Sequence, residues 1–217
     1  MKQKLPFDPQ QVKNDSERLI IDAGGKICDW LPWIDRTGLR SRDDIVRRSL
    51  ILNAMLNIYF KAPVSVVRDW IERNGLAASL SNVEQGILAK ANDALSKQEQ
   101  INLYWYVECL WAFLWVGSII DELPLTSPVE DRMASLCPNL QKNEDGAKFS
   151  QCMRLRSHEE LYRMLDRYYR AHWYARDGQL NRYDTGAFNI DIIMERRRAL
   201  EWALNSESDW NEVDMST

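Results

Sequence analysis

"YVECLWAFLWVGSIIDELP", Tyr106 to Pro124, is the stretch on which the fold turns. Its first thirteen residues carry one charge, Glu108, in otherwise apolar company. A run this apolar is either a membrane span or the buried centre of a helical protein. Leu103 to Ile120 approaches the roughly 20 apolar residues that a span requires. Two features favour the soluble reading. Glu108 would be costly in lipid. Trp105, Trp111 and Trp115 are spread along the segment instead of gathering at its ends, where an aromatic belt would place them. The stretch therefore reads as a buried helix from about Lys97 to Ile120, with a carboxylate that needs a partner.

The surrounding chain suits a helical core. It has 217 residues, 45% hydrophobic and 28% charged, an ordinary globular balance. Nine tryptophans make the expected core aromatic-rich. The net charge of −4 argues against a general nucleic-acid binder. Cys28, Cys109, Cys137 and Cys152 form no CxxC pair, and His158 and His172 are the only histidines. That spacing offers no zinc site, so no metal or cofactor is expected. Scattered cysteines fit reduced thiols, and the N-terminus lacks an apolar signal region; a cytoplasmic location is expected.

Helical periodicity accounts for most of the rest. Residues 1–18 read as a polar, proline-bearing arm leading into a short helix at about Ser16–Ala23, ended by Gly24-Gly25. "ICDWLPWID" reads as an irregular hydrophobic clasp. Ser41 with Asp44 starts a helix whose Ile45, Ser49, Leu52, Leu56 and Tyr59 share a face. Pro63 opens the next helix, which ends at Gly75. Ser81 and Glu84 cap a helix from Asn82 to about Leu95. Asp121 to Pro138 reads as a loop with a short turn. Asn139 to Ser150 reads as a mobile surface loop, and Ser157 with Glu160 caps a long helix. Gly178–Gly186 reads as a loop, and a last helix spans Ile190 to Asn205. No strand pattern or internal repeat is evident. The expectation is an all-α, single-domain helical bundle around a central Trp-rich buried helix, over 24–217, preceded by an arm and short helix over 1–23.

Three helices each carry charge on an apolar face. Glu108 shares its face with Tyr104, Trp105, Trp111 and Trp115. Arg196 sits among Ile192, Ile193, Ala199, Leu200 and Ala203. His172 continues a stripe of Leu161, Leu165, Tyr168 and Ala175, bordered by Arg170 and Trp173. Glu195 can face Ala199 and Trp202. Buried charges are expensive unless paired. The economical expectation is that these groups meet: Glu108 with Arg196 or Arg170, and His172 nearby. Of the run Arg196-Arg197-Arg198, one inward member is expected and Arg198 is read as solvated. The cluster reads as a structural network, or alternatively as a catalytic pair of Glu108 and His172.

Catalytic signatures are missing. There is no GxGxxG, Walker A, HExxH or GxSxG element. Cys109 lies in the buried helix, where a thiol is inert. Between Arg154 and Arg182, Arg163, Arg167, Arg170 and Arg176 alternate with Tyr162, Tyr168, Tyr169, Trp173 and Tyr174. Such a helix can grip phosphates and stack on bases. In the plainer reading its aromatics pack inward and its arginines pair with Glu159, Glu160 and Asp166.

Several stretches together resemble a known family. In order they are "GGKICDWLPWID", "SRDDIVRRSLIL", "DWIERNGLAASLSNVE", "YWYVECLWAFLWVGSIIDELP", "LDRYYRAHWYARD" and "ERRRALEWAL". They resemble the bacterial family known as domain of unknown function 4272 over about Gly24 to Thr217. The ending "SDWNEVDMST" is similar to that family's closing tail, with Asn211 where an acid is usual. The resemblance implies an α-helical fold and puts emphasis on Glu108, Arg170, His172, Glu195 and Arg196. It implies no particular activity, substrate or cofactor. The expected function is a non-enzymatic protein-binding module with an unidentified protein partner, of the kind that neutralises a toxin. The alternatives are a small hydrolase or transferase using the Glu/His/Arg cluster, and nucleic-acid binding through helix 154–182.

Overall fold

Local caps set most of the helix boundaries. The computed structural model describes residues 6–34 and 38–217. Eight α-helices occur among them: α1 (Pro9–Asp22), α2 (Arg42–Tyr59), α3 (Val64–Arg73), α4 (Asn82–Leu88), α5 (Lys97–Val116), α6 (Ala147–Cys152), α7 (His158–Asn181) and α8 (Ile190–Ala203). No strand occurs among the described residues. Ser81, Ser96 and Ser157 each accept from the N–H three residues on, and Glu84, Glu99 and Glu160 reach back. These are capping boxes, which satisfy two otherwise orphaned donors at once.

Packing runs as a chain of neighbours. α1 lies on α7, α7 on α8, α8 on α5, α5 on α2, and α2 on α3. From Tyr106 to Val116 every residue of α5 is buried. Trp70, Trp111, Tyr162 and Tyr168 are among the largest fully enclosed side chains. One contiguous cluster of buried apolar residues draws on all eight helices, which makes the fold a single all-α domain.

Several boundaries differ from the sequence expectation. α1 begins at Pro9, not at Ser16: Asp8 accepts from the Gln10 N–H, and Pro9 occupies the first turn, where its missing donor costs nothing. The buried residues of α1 are Val12, Ser16 and Ile20. Residues 1–5 of the expected arm lie outside the described residues. α4 stops at Leu88, well short of Leu95, because Asn92 is drawn away. Its side chain accepts from Val64 N at 2.9 Å and donates to Ala62 O at 3.0 Å, fastening the start of α3. α5 stops at Val116, not Ile120. At Gly117 the chain passes so close to Met153 that a Cβ would lie 2.8 Å from Met153 Cγ. α7 continues to Asn181, through a region expected to be loop, and α8 ends at Ala203.

The stretch Asn139–Ser150 is tied down, contrary to the mobile loop expected. Leu140 and Phe149 are buried. Trp70 Nε1 donates to Glu144 O at 2.8 Å, and Gly146 N donates to Asn74 Oδ1 at 3.0 Å. A Cβ on Gly146 would lie 2.5 Å from Leu50 Cδ1, so glycine permits this close approach. The clasp is irregular, as its proline suggested. Cys28, Leu31 and Ile34 are buried while Trp30 and Trp33 face outward. Asp35, its last residue, lies outside the described residues.

Glu84 does double duty. It caps α4 and also takes both its oxygens to within 2.9 Å of Arg48 Nη1, with both side chains buried. Removing one member of such a pair strands the other. Glu84→Ala is expected to cost about 3–5 kcal/mol in urea unfolding. Glu99→Ala, at the exposed capping box of α5, is expected to cost far less. Equal losses would show that Arg48 finds another partner.

Candidate functional site

The carboxylate of the central helix meets one guanidinium. Arg196 Nε donates to Glu108 Oε2 at 2.8 Å, and Nη2 lies 2.7 Å from the same oxygen. Arg196 Nη1 donates to Pro124 O at 2.6 Å and to Tyr168 Oη at 3.2 Å. Glu108 Oε1 accepts from Val129 N at 3.3 Å. Arg196 has 0% exposure. The network therefore joins α5, α7, α8 and the 121–129 connection. Burial pushes the Tyr168 hydroxyl up to about 12, with Arg196 acting in the opposite direction.

Arg170 does not join it. Its Nε and Nη2 each donate to Asp166 at 2.9 Å, its Nη1 contacts Glu17 at 3.3 Å, and Nη2 also reaches Pro32 O at 3.1 Å. Arg170 thus holds α1 and the clasp onto α7. Trp173 packs half-buried against the edge of the core.

His172 belongs to a third network. Arg197 Nη1 lies 2.7 Å from His172 Nδ1. A guanidinium only donates, so Nδ1 accepts and the ring proton sits on Nε2. Arg197 also bonds Glu201 and the carbonyls of Met215 and Ser216. Burial, then the neighbouring Arg197 and Arg176, pushes the imidazole down to about 4. The cluster expected from sequence is therefore divided: Glu108, Arg170 and His172 each sit in a different network.

The arginine run also departs from expectation. Both Arg196 and Arg197 are buried, not one of them. Arg198 Nη1 lies 3.0 Å from Glu195 Oε2, and that oxygen also accepts from Cys109 Sγ at 3.2 Å. Burial pushes the Cys109 thiol up, and it pushes the Glu195 carboxyl up against the opposing pull of Arg198. Helical spacing placed Glu195 on an apolar face but gave no hint of Cys109. The pairing of Arg48 with Glu84 was also missed. Its signal was available: Arg48 falls three residues after Ile45 and four before Leu52, on the same face.

On the Arg/Tyr helix, Tyr162, Tyr168 and Tyr174 are buried. Arg163 pairs with Glu159 and Asp15, and Arg156 with Glu160. These are contacts of the kind that the plainer reading expects.

Glu108 and His172 line none of the five cavities described. A cavity of about 650 Å³ is bordered by Cys137 and Cys152, and burial holds the Cys137 thiol up at about 12. A smaller one, about 240 Å³, is bordered by Arg40, Arg47 and Arg48. Glu195 and Arg198 line a third, of about 470 Å³. Among the described residues, no group of three His, Cys, Asp or Glu side chains is placed to hold a metal, and no helix is long and apolar enough to cross a membrane.

Two measurements check these networks. Arg196→Met is expected to cost about 3–5 kcal/mol, because Glu108 is left buried and unpaired. The double change Glu108→Leu/Arg196→Met is expected to recover most of that loss in urea titrations; no recovery would mean the pair holds more than itself. For His172 the folded pKa lies below the usual 6.5, so the unfolded chain takes up the proton first. Stability contributed by the neutral ring is complete above about 6.5 and is lost as pH falls towards about 4. His172→Asn keeps an acceptor for Arg197 and removes the titration. Its unfolding midpoint is expected to fall less than the parent's between pH 7 and pH 5.

A family model described as a domain of unknown function, DUF4272, matches residues 13–213. No curated protein and no solved structure matches the chain. The matched span runs from within α1 to the C-terminal tail beyond α8, and the chain therefore belongs to the DUF4272 family.

Proposed function

We propose that the chain is a non-catalytic, cytosolic protein-binding module that offers the clasp at residues 28–34 to a protein partner. The carrying observation is the pair Trp30 and Trp33, exposed by 74% and 52%. Indoles this exposed are unusual for a chain whose other large aromatics are mostly enclosed.

The backbone beneath them is held firmly. Lys13 Nζ donates to Asp29 O at 2.9 Å and Leu31 O at 2.8 Å. Arg170 holds Pro32 O, and the Tyr162 hydroxyl donates to Ile34 O at 2.6 Å. Leu31 and Ile34 anchor the segment from below. Tryptophan is enriched among residues that dominate binding energy, and a pre-ordered segment loses little entropy on docking. The closed ionic networks support a scaffold role for the buried charges over acid–base chemistry. An acidic chain, with an exposed Asp29 next to Trp30 in sequence, suits a basic partner such as a nuclease toxin, which is the toxin-neutralising form of the proposal.

Tagged chain and its Trp30→Ala/Trp33→Ala variant, passed side by side over native-host lysate, test this. The parent is expected to retain one stoichiometric protein at micromolar affinity or tighter. The variant, with an unchanged melting temperature, is expected to lose at least about 10-fold in affinity, since a fully engaged indole contributes about 2 kcal/mol or more. Absence of any partner at micromolar concentration, or equal capture by the variant, would sink the reading.

A further inference from the structure

We propose that the cavity between α4, α5, α8 and the C-terminal tail binds a hydrophobic α-amino acid as its zwitterion, with Glu195 receiving the ammonium and Arg198 the carboxylate. This site is separate from the Trp30/Trp33 surface and does not depend on it.

The cavity measures about 470 Å³, inside the range of about 300–1,000 Å³ usual for small-molecule sites. Its apolar wall includes Ile87, Ile101, Trp105, Met194 and Val213. The polar end is built differently from the other ionic networks. Glu195 is only 5% exposed, and both its contacts fall on one oxygen: Cys109 and Arg198 share Oε2. Oε1 accepts no hydrogen bond from the described residues. That oxygen is not among the fully enclosed unpaired atoms, and Glu195 lines the cavity, so Oε1 is open to a donor entering from there. An arriving ammonium would offset the burial that disfavours the charged carboxylate.

Arg198 completes the pair. It lies three residues on from Glu195, on the same helical face. Its side chain is 31% exposed, and only Nη1 is engaged, on Glu195. The remaining guanidinium nitrogens hold no acceptor among the described residues, which leaves them able to clasp a carboxylate. A free acceptor beside a free fork of donors matches the two charges an α-amino acid carries on adjacent atoms. An anion alone would face Glu195, and an amine alone would leave Arg198 unused. The wall of aliphatic and indole groups selects an apolar side chain and disfavours a charged one.

Calorimetry and thermal shift on the full chain decide the matter, with L-phenylalanine, L-leucine and L-tryptophan as ligands. Phenethylamine lacks the carboxylate, 3-phenylpropionate lacks the ammonium, and L-aspartate carries the wrong side chain. At least one of the three amino acids is expected to bind saturably, with Kd at about 1 mM or tighter, and at least about 10-fold better than each control. Arg198→Ala, at a partly exposed position, is expected to weaken it by about 10-fold or more without unfolding the chain. Val213→Trp fills the cavity from the tail and is expected to abolish it. Glu195→Gln should weaken it likewise, provided its melting temperature is retained. No saturable signal at about 10 mM, equal binding of phenethylamine or 3-phenylpropionate, or undiminished binding by Arg198→Ala and Val213→Trp would overturn the proposal.

Discussion

A guanidinium with no exposure to water, Arg196, governs how this fold is assembled. It cannot shed its charge, so every route to burying it runs through acceptors. Glu108 supplies charge from α5, Pro124 a carbonyl from the following connection, and Tyr168 a hydroxyl from α7. The apolar residues around them would tolerate some sliding of one helix past another. These directional bonds do not. The attraction of indole for indole gives the core its area, and the Arg196 fork fixes where α5, α7 and α8 stand relative to one another.

The same logic repeats along α8 with different partners. At about 100° per residue, four consecutive charged side chains cannot point one way. Glu195 turns to Cys109 on α5, Arg196 to Glu108, Arg197 to His172 on α7, and Arg198 back to Glu195 at the edge. A run expected to send one arginine inward is spread around a helix with neighbours on most sides. Arg197 goes further and holds the carbonyls of Met215 and Ser216, which fastens the irregular tail over α8. Trp210 then packs on Tyr106, Phe113 and Trp202, so the tail becomes part of the core.

What could be read in advance follows from where each signal resides. The buried helix, and the need of Glu108 for Arg196 or Arg170, were legible, because periodicity shows which side chains face inward and charge shows which of them must meet. The capping boxes at Ser81 and Ser157 were legible because their chemistry is local. Arg170 and His172 were correctly placed inward, but a helical wheel does not say which inward neighbour each finds. Arg170 chose Asp166, one turn back on its own helix, and Glu17, in a segment whose prolines disguised a helix start. The burial of Arg197 was invisible because its cover is an irregular tail without periodicity. Asn139–Ser150 looked free for the same reason: its polar composition hides two anchors, Leu140 and Phe149.

Unsatisfied polar atoms separate scaffold from site only when access is considered with them. Arg48 Nε is buried without an acceptor. Its guanidinium lies over Trp210 and Trp202, 5.0 and 5.8 Å from the ring centres, and the ring faces supply part of the missing negative potential. The other nitrogens are taken by Glu84 and Ser79 O. That atom is enclosed, and nothing from solvent reaches it. Glu195 differs at the atom itself: its unused oxygen is not among the enclosed ones, and it belongs to a side chain lining a cavity beside a guanidinium with donors to spare. A sealed deficit is a cost the fold absorbs through packing. An accessible one is removed by whatever molecule can enter with the complementary group, and this is why the charged run Glu195–Arg198 divides into two that hold the fold together and two that can meet a ligand.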